Sequence, residues 1–188
     1  VHSSWLHLEY GSRVRMPYVT QILRVGGERL YSRGSSERGT KVHLMTMLYD
    51  YGQATVDDAP ADLAGYLKAW SQFRKDSGFI PDIIERVGVD YLKRFAGTID
   101  RIGRMNAMWW TIDIKSGNPE PKHWLQLAGY SMLSNADGET WTGNNRLGIV
   151  YVRNDGTYRF KEIPESEVRS LRADFLDSYE RITLKGVT

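Results

Sequence analysis

Two adjacent stretches of strand-like sequence, joined by a short turn, set the strongest limit on how this chain folds. Residues 94–102 and 107–115 are rich in β-branched and aromatic side chains, which favour strands. Between them, residues 103–106 (Gly-Arg-Met-Asn) have the composition of a hairpin turn. A third strand-like stretch, residues 83–89, precedes this pair. We therefore predict a group of paired strands in the middle of the chain.

Helical segments and a second hairpin surround this central group. Spacing of apolar residues and helix-starting or helix-ending residues predict helices over residues 16–25, 40–51, 57–75, 122–133 and 165–182. The Gly-rich, charged residues 26–39 predict a loop, and residues 147–152 and 157–163 a second hairpin. The order of segments predicts an α/β (α+β) fold, a small mixed β-sheet flanked by helices, as one domain over residues 1–188.

Composition limits the function classes open to the chain. It contains no cysteine, which excludes disulfides, thiolate metal sites and cysteine nucleophiles. No apolar run approaches the roughly 20 residues of a membrane helix, so we expect no membrane partner. The lack of cysteine suits a reducing compartment, and we expect a cytoplasmic location. Net charge is only +2, and local basic clusters either attract phosphate or are scattered, solvated charges. These clusters are Arg13 and Arg15; Arg33, Arg38 and Lys41; and Arg101 and Arg104.

Acidic and basic side chains in the central strands carry the chemistry. Side chains alternate along a strand, so Asp113 and Lys115 project from one face while Ile112 and Ile114 point into the core. Asp100 lies on the preceding strand and can face Asp113 across the pair. Two carboxylates beside a lysine form an oxygen-ligand site for Mg²⁺ or Mn²⁺, which suits phosphodiester hydrolysis. An isolated Asp-x-Lys is more often a surface charge pair, so the motif needs further support.

Four short motifs occur along the chain in a fixed order and supply that support. They are Arg38–His43 (Arg-Gly-Thr-Lys-Val-His), Gly97–Asp100 (Gly-Thr-Ile-Asp), Asp113–Lys115 (Asp-Ile-Lys) and Gln126–Tyr130 (Gln-Leu-Ala-Gly-Tyr). Together they resemble the successive landmarks of the RecB-type branch of the PD-(D/E)XK nuclease superfamily. The segment Tyr18–Leu23 is similar to one that precedes the histidine helix in phage members. The resemblance implies a restriction-endonuclease-like core and a divalent-metal-dependent deoxyribonuclease.

The resemblance also assigns a metal centre and a catalytic group. It implies four metal ligands: His43, Asp100, Asp113 and the main-chain carbonyl of Ile114. Lys115 is then the catalytic lysine, which orients water or stabilises developing negative charge. The expected cofactor is Mg²⁺ or Mn²⁺.

Further residues are expected around this centre. Gln126 and Tyr130 lie four positions apart, hence on one helix face, and the resemblance places them beside the site and in contact with DNA. Glu85 resembles a family glutamate that adjoins the site; the alternative is a solvent-facing residue of an edge strand. Arg38 and Arg101 adjoin matched motifs, and we expect them to support the site or bind DNA.

Features that the sequence lacks narrow the hypotheses. Without cysteine, the chain cannot hold the iron–sulfur cluster that many relatives carry. It also lacks a Gly-x-x-x-x-Gly-Lys-Ser/Thr motif, so we expect a nuclease domain without a helicase motor. The pair Trp109 and Trp110 is interpreted as sheet packing rather than as a base-stacking platform.

Several functions are compatible with these residues. The leading hypothesis is an exonuclease that acts on DNA in recombination, repair or replication, in a bacterial or phage-infected cell. A structure-selective flap or junction endonuclease could use the same centre, and a non-catalytic DNA-binding module could share the fold. An unrelated α/β protein with chance motifs would leave Asp100, Asp113 and Lys115 apart in space. DNA is the expected partner; a homo-oligomer and contacts with recombination or replication proteins are left open.

Overall fold

The computed structural model of this chain describes residues 5–7, 13–25, 33–134 and 145–184. The strands in these ranges are β1 (Trp5–His7), β2 (Arg13–Arg15), β3 (Ile80–Asp90), β4 (Phe95–Met105), β5 (Met108–Lys115), β6 (Arg146–Val152) and β7 (Tyr158–Ile163). The helices are α1 (Val19–Val25), α2 (Arg33–Asp50), α3 (Ala61–Ser77), α4 (Pro121–Tyr130) and α5 (Glu165–Leu184), with a short 3₁₀ turn at Val56–Asp58. None of these described helices has the length and apolar character needed to cross a membrane.

Strands β3 to β7 form one mixed sheet in the order β3-β4-β5-β6-β7, and β1 pairs with β2 in a separate ribbon. Neighbouring strands of the sheet are antiparallel except β5 and β6, which are parallel. A parallel pair needs a crossover connection, and α4 lies in the segment that joins these two strands. Both predicted hairpins are present, and the sheet with its flanking helices confirms the predicted fold class.

One face of the sheet packs against α2 and α3. Trp110, Ile112 and Ile114 of β5 point to this face, as the strand alternation predicts, and join a buried cluster with α3. Leu67 and Trp70 of α3 are fully buried in the same cluster. Burying one such large apolar side chain stabilises the fold by about 1.5–3 kcal/mol. The cluster therefore fixes both helices against the strand that carries the predicted Asp-x-Lys motif.

Helices α1, α4 and α5 pack on the opposite face. Ile22 of α1, Phe95 of β4 and Phe175 of α5 belong to a second buried cluster. Gly97 of β4 allows a close approach of α4, because a Cβ atom at this position would lie 2.7 Å from the Tyr130 ring. The absence of a side chain at Gly97 thus brings Tyr130 onto the middle of the sheet.

The predicted loop over residues 26–39 is partly wrong. Helix α2 already begins at Arg33, so the last seven of these residues are helical. Residues 26–32 lie outside the described ranges. Gly34 and Gly39 have low helix propensity, so the local sequence predicts a loop where the first turns of this helix lie.

The first predicted hairpin turn is shifted along the chain. Strand β4 continues through most of residues 103–106, and the turn residues are Asn106 and Ala107. Their φ angles are 51° and 61°, as a two-residue turn of a twisted hairpin requires. Alanine rarely adopts this conformation, so the sequence around Ala107 does not signal it. The other predicted helices and strands are confirmed with ends that differ by a few residues.

Candidate active site

Strands β4 and β5 separate where the predicted acidic residues lie. Their pairing ends at Arg101↔Ile112. One position further, where continued pairing would set Asp100 opposite Asp113, Asp100 Oδ2 accepts the backbone N–H of Ile114 at 2.7 Å. Both aspartates are buried, at 4% and 0% exposure. A side-chain carboxylate thus occupies the gap between the strands and is held in the interior of the sheet.

His43 reaches this gap from α2. Its Nδ1 lies 3.2 Å from Glu85 Oε1 and 3.5 Å from Asp100 Oδ1. Its Nε2 lies 3.0 Å from the main-chain oxygen of Ile114. Ligand atoms of His43, Glu85 and Asp100 all lie within 4.8 Å of one another. Glu85 therefore belongs to the cluster and is not the solvent-facing edge residue that the alternative interpretation expects.

Asp113 and Lys115 form an ion pair on the same strand. Lys115 Nζ lies 2.8 Å from Asp113 Oδ1 and 2.7 Å from Oδ2, and only Oδ1 accepts a well-aligned hydrogen bond. The Lys115 side chain is 14% exposed, whereas that of Asp113 is fully buried. The ammonium group is thus fixed near the surface by a carboxylate two residues away, as strand alternation predicts. Asp100, Asp113 and Lys115 meet in one place, which excludes the hypothesis of chance motifs scattered in space.

The charged groups of this cluster change the pKa values of one another. Burial raises the pKa of Asp100 to about 7, assisted by Asp113 and Glu85 and opposed by His43. Burial acts to lower the pKa of His43, but the carboxylates of Asp100 and Glu85 outweigh it and raise this pKa to about 9. Burial also acts to raise the pKa of Glu85, yet His43 and Arg101 hold it below its ordinary value. A proton on His43 and a divalent cation therefore compete for the same carboxylates.

Arg101 supports the cluster from the α2–α3 side of the sheet. Its side chain is fully buried, and Nη1 donates to Glu85 Oε1 at 2.8 Å while Nε donates to Asp50 Oδ2 at 2.6 Å. Glu85 has a φ of 45°, a conformation that is uncommon for a residue with a side chain. Arg101 holds this strained residue in place, so its buried guanidinium supports the site and does not face solvent.

Asp50 is a member of the site that the motifs do not reveal. Its Oδ1 accepts hydrogen bonds from Arg74 at 2.7 Å and Trp70 Nε1 at 2.9 Å, in addition to the contact with Arg101. The Asp50 side chain is fully buried. It lies seven residues after His43 on the same helix, hence two turns along the same face. That spacing is the signal by which the sequence could have identified it.

Gln126 and Tyr130 of α4 lie on the other side of the cluster. Gln126 Nε2 donates to the Tyr130 hydroxyl at 2.7 Å. Burial raises the pKa of Tyr130 well above its ordinary value, and the negative charges of Asp100 and Asp113 add to the rise. The tyrosine therefore stays protonated and can donate a hydrogen bond close to the acidic residues.

His123 is a second residue near the site that the sequence does not single out. It is buried at 2% exposure, and its Nδ1 accepts the backbone N–H of Glu120 at 3.3 Å. Burial lowers the pKa of His123 to about 4, and the positive charge of Lys115 adds to this effect. His123 is thus a neutral ring behind the lysine. Nothing in its sequence context distinguishes it from a structural core histidine.

The remaining predicted residues lie further from the cluster. Arg38, on α2 before His43, lines a cavity of about 320 Å³ together with Ser116. Trp110 is buried, as expected for sheet packing, but Trp109 is 44% exposed with the Arg104 guanidinium 5.7 Å from its ring centre. The interpretation of the tryptophan pair is therefore correct for only one of its members.

The donor groups of the cluster fit a divalent cation. Carboxylate and carbonyl oxygens, with one imidazole nitrogen, are donors that Mg²⁺ and Mn²⁺ accept. Asp113 Oδ2 is buried without a well-aligned hydrogen bond, and so retains the capacity to bind a cation. The residues that could hold the ion are His43, Glu85, Asp100, Asp113 and, through its carbonyl, Ile114.

Fold and site together define a class: a restriction-endonuclease-like α/β protein whose acidic cluster and lysine lie where two strands of a mixed sheet separate. A family model of the PD-(D/E)XK nuclease superfamily matches residues 27–186. The chain therefore belongs to this superfamily, which confirms the resemblance at that level.

Solved structures give more distant likenesses. The chain is similar to an alkaline exonuclease (LHK-Exo) from Laribacter hongkongensis, with 16% identity, a TM-score of 0.40, and coverage of 90% of this chain and 81% of that chain. A structure of LHK-Exo in complex with dAMP matches with the same identity and coverage and a TM-score of 0.38. No curated protein sequence matches the chain. These likenesses are too distant to assign an activity, and the family membership rests on the family model.

Proposed function

We propose that this protein is a divalent-metal-dependent deoxyribonuclease that hydrolyses phosphodiester bonds of DNA as an exonuclease. The observation that carries the proposal is the convergence of half-buried His43 and Glu85 with buried Asp100 beside the Asp113–Lys115 ion pair. A neutral protein interior does not tolerate so many charges unless they are paired or bind a metal. By resemblance to the RecB-type branch, we place the activity in recombination, repair or replication.

The residues divide the chemistry between charge neutralisation and positioning. Mg²⁺ or Mn²⁺ held by the acidic cluster and His43 would supply positive charge against the phosphate and lower the pKa of water. Lys115 orients the attacking water or stabilises the negative charge that develops on the phosphate oxygens. Asp113 fixes the lysine ammonium at 2.8 Å, so that little reorganisation is needed during the reaction. Gln126 and Tyr130 donate hydrogen bonds towards the bound DNA.

A cleavage assay tests the lysine. Linear DNA labelled at one end is incubated with the protein and Mg²⁺ or Mn²⁺, and in parallel with a chelator. Lys115→Ala should bind DNA normally but cleave it about 10²–10³-fold more slowly, the usual effect of removing one group that stabilises the transition state. Lys93→Ala is the matched control, because Lys93 also pairs with an aspartate, Asp90, but lies at the surface. Its cleavage rate should equal that of the wild type.

Three results would contradict the proposal. They are cleavage that persists in the chelator, unchanged cleavage by Asp113→Ala, and a rate for Lys115→Ala equal to that of Lys93→Ala. A closed circular DNA of the same sequence then separates the modes of attack, because an exonuclease needs an end. Equal degradation of circular and linear DNA would replace the exonuclease assignment with an endonuclease.

A further inference from the structure

The cavity of about 320 Å³ lies at the carboxyl ends of β5 and β6, directly after Lys115 in the chain. Ser116 and Gly117 form part of its wall, and the turn between β6 and β7 forms another part. Three arginines line it: Arg38 from α2, Arg153 from the turn and Arg159 from β7. Among the described residues of its lining there is no carboxylate. The cavity is therefore a positively charged pocket beside the candidate active site.

The strand register connects this pocket to the catalytic lysine. Lys115 of β5 is paired with Tyr151 of β6, and Tyr151 is paired with Arg159 of β7. Residues that are paired across a sheet project from the same face, so the lysine and the arginine lie in one row. Neighbouring strands are about 4.8 Å apart, which places the two backbones about 10 Å from each other. Long Lys and Arg side chains can thus act on consecutive groups of one extended ligand.

Arg38 provides an independent indication that the pocket takes a ligand. Its side chain is half-buried, and its Nε atom is fully buried without a hydrogen-bond partner. A buried donor without an acceptor costs about 1–3 kcal/mol. In the described part of the chain, Arg153 and Arg159 are exposed and neither guanidinium forms a close ion pair, although the charge of Arg153 acts on the exposed carboxylate of Asp155. An anion in the pocket would satisfy all three guanidinium groups.

The wall that carries Arg153 is held in a fixed position. Helix α3 approaches the β6–β7 turn so closely that a Cβ atom at Gly65 would lie 1.7 Å from the main-chain oxygen of Asn154. Asn154 lines the pocket next to Arg153. The turn is thus pressed against a helix of the core, and its arginine is positioned before a ligand arrives. Such preorganisation reduces the entropy cost of binding.

We propose that this pocket is a phosphate-binding subsite, which holds a phosphate of the nucleic-acid substrate next to the one that is cleaved. Guanidinium groups bind phosphate through paired, charge-assisted hydrogen bonds, and three of them around one small pocket suit a single phosphate. The subsite rests on the proposed function, since it takes its ligand from the same DNA strand. It would fix that strand relative to Lys115, without reading base sequence.

Binding of a short DNA duplex with a single-stranded end and a fluorescein label tests the subsite. Fluorescence anisotropy is measured in a chelator, from about 50 to 200 mM NaCl, so that cleavage and the metal site do not contribute. The double variant Arg153→Ala/Arg159→Ala should bind about tenfold more weakly at low salt. The slope of log affinity against log salt should also decrease by about 0.7–0.9, which corresponds to one lost phosphate contact. Arg159→Lys, which keeps the charge, should retain part of the affinity.

Matched DNA and protein controls make the result specific. Arg169→Ala removes an exposed arginine of α5 that is remote from this pocket, and it should bind like the wild type. Thermal unfolding of each variant shows that it is folded. Duplexes with and without a terminal phosphate distinguish the two sources of the ligand. If the double variant loses affinity only for the duplex with a terminal phosphate, the ligand is that terminal phosphate. If it loses affinity equally for both duplexes, the ligand is a phosphate within the strand.

The outcomes separate the subsite from the proposed function. Wild-type affinity and salt slope in the double variant, or no measurable DNA binding by the wild type, would overturn the subsite. Arginine-dependent binding without any cleavage in Mg²⁺ or Mn²⁺ would retain the subsite and refute the nuclease proposal. Normal cleavage together with unchanged DNA binding by the double variant would refute the subsite and leave the nuclease proposal intact.

Discussion

Arg101 shows how single residues of this protein keep a highly charged site folded. Its guanidinium is fully buried and lies between the carboxylates of Asp50 and Glu85, at 2.6 and 2.8 Å. Asp50 in turn accepts hydrogen bonds from Trp70 and Arg74. A series of alternating charges thus runs from the α2–α3 core to the candidate metal ligands. Each charge is stable in the interior only because its neighbour is present.

Substitution of Arg101 should therefore lower the free energy of unfolding of the protein. In Arg101→Met, the carboxylate of Asp50 and that of Glu85 lose a buried partner, and the free energy of unfolding should fall by about 3–5 kcal/mol. Arg104→Met is the control, because Arg104 is exposed on the same strand and its guanidinium lies over the ring of Trp109. Arg104→Met should lower the free energy of unfolding by less than about 1 kcal/mol. Urea unfolding of both variants measures the difference, and equal midpoints would contradict a supporting role for Arg101.

Stability should also depend on pH through His43 and Asp100. The folded-state pKa of His43 is raised to about 9, so its contribution to stability is full below its ordinary pKa and is lost as pH rises through about 9. The pKa of Asp100 is raised to about 7, so ionisation of this carboxyl costs stability between its ordinary pKa and about 7. Both effects have the same sign. Glu85 and His123, whose pKa values are lowered in the folded protein, act in the opposite direction, but only below about pH 7. In a chelator, the protein should therefore become less stable as pH rises from about 7 to about 9.

The same groups predict how a cation stabilises the protein. A divalent cation held by the proposed ligands would require neutral His43 and ionised Asp100, so its affinity should rise with pH until both have lost their protons. The increase in melting temperature caused by a fixed Mn²⁺ concentration should therefore be larger near pH 9 than near pH 6. For a chain of this size, each kcal/mol corresponds to roughly 2–4 °C. Thermal unfolding at the two pH values tests this. An equal rise in melting temperature at pH 6 and pH 9 would contradict this prediction. So would a pH dependence in His43→Asn that equals that of the wild type.

The sequence predicts the residues of the site that belong to short motifs, and it misses those defined only in three dimensions. His43, Asp100 and Lys115 can be identified because strand alternation and motif order fix where they point. The motifs do not include Asp50, whose only signal is its spacing of seven residues from His43, or His123, which looks like any core histidine until the packing around it is known. Their roles depend on contacts between elements that are far apart in the chain.

Among the elements, α2 is unusual because polar contacts attach one face of it to the sheet. His43, Thr46 and Asp50 lie on this face, and Thr46 Oγ1 accepts a hydrogen bond from Arg101 at 3.1 Å. Intrinsic propensity works against the helix, which begins with a Gly-rich segment. The helix is thus maintained by its partners on the strands, and this is why its first turns could not be predicted from local sequence.

Two glycines in helix interiors should respond in opposite ways to the same substitution. At Gly39 of α2 an added Cβ atom meets nothing within 4 Å, so Gly39→Ala should stabilise the protein by about 0.5–1 kcal/mol through helix propensity. At Gly65 of α3 the Cβ atom would collide with the backbone of Asn154. Gly65→Ala should therefore destabilise the protein by more than about 1 kcal/mol. Thermal unfolding of the two variants provides the comparison. A gain in stability at Gly65 would show that the β6–β7 turn moves freely away from α3.

For the whole molecule, the sequence predicts the fold class better than the relations between its parts. Alternating and helical patterns identify the hairpins and most helices, because each pattern reports a buried face within one element. The strand order, with a single parallel pair, is determined by how α4 crosses the sheet, and local patterns do not encode it. The arginine-lined pocket depends on that order, because it joins a helix near the beginning of the chain to a turn near its end.

The main-chain N–H and C=O groups of Ile114 have a consequence for mutagenesis. Its N–H is bound by Asp100 and its oxygen lies 3.0 Å from His43, while its side chain faces the opposite core. Exchanging the isoleucine for another apolar residue preserves both backbone groups, so an alanine scan would register only a packing defect at this position. Only a change to the main chain itself, such as an ester bond or a proline that removes the Ile114 N–H, would test the proposed contribution of the backbone to the site.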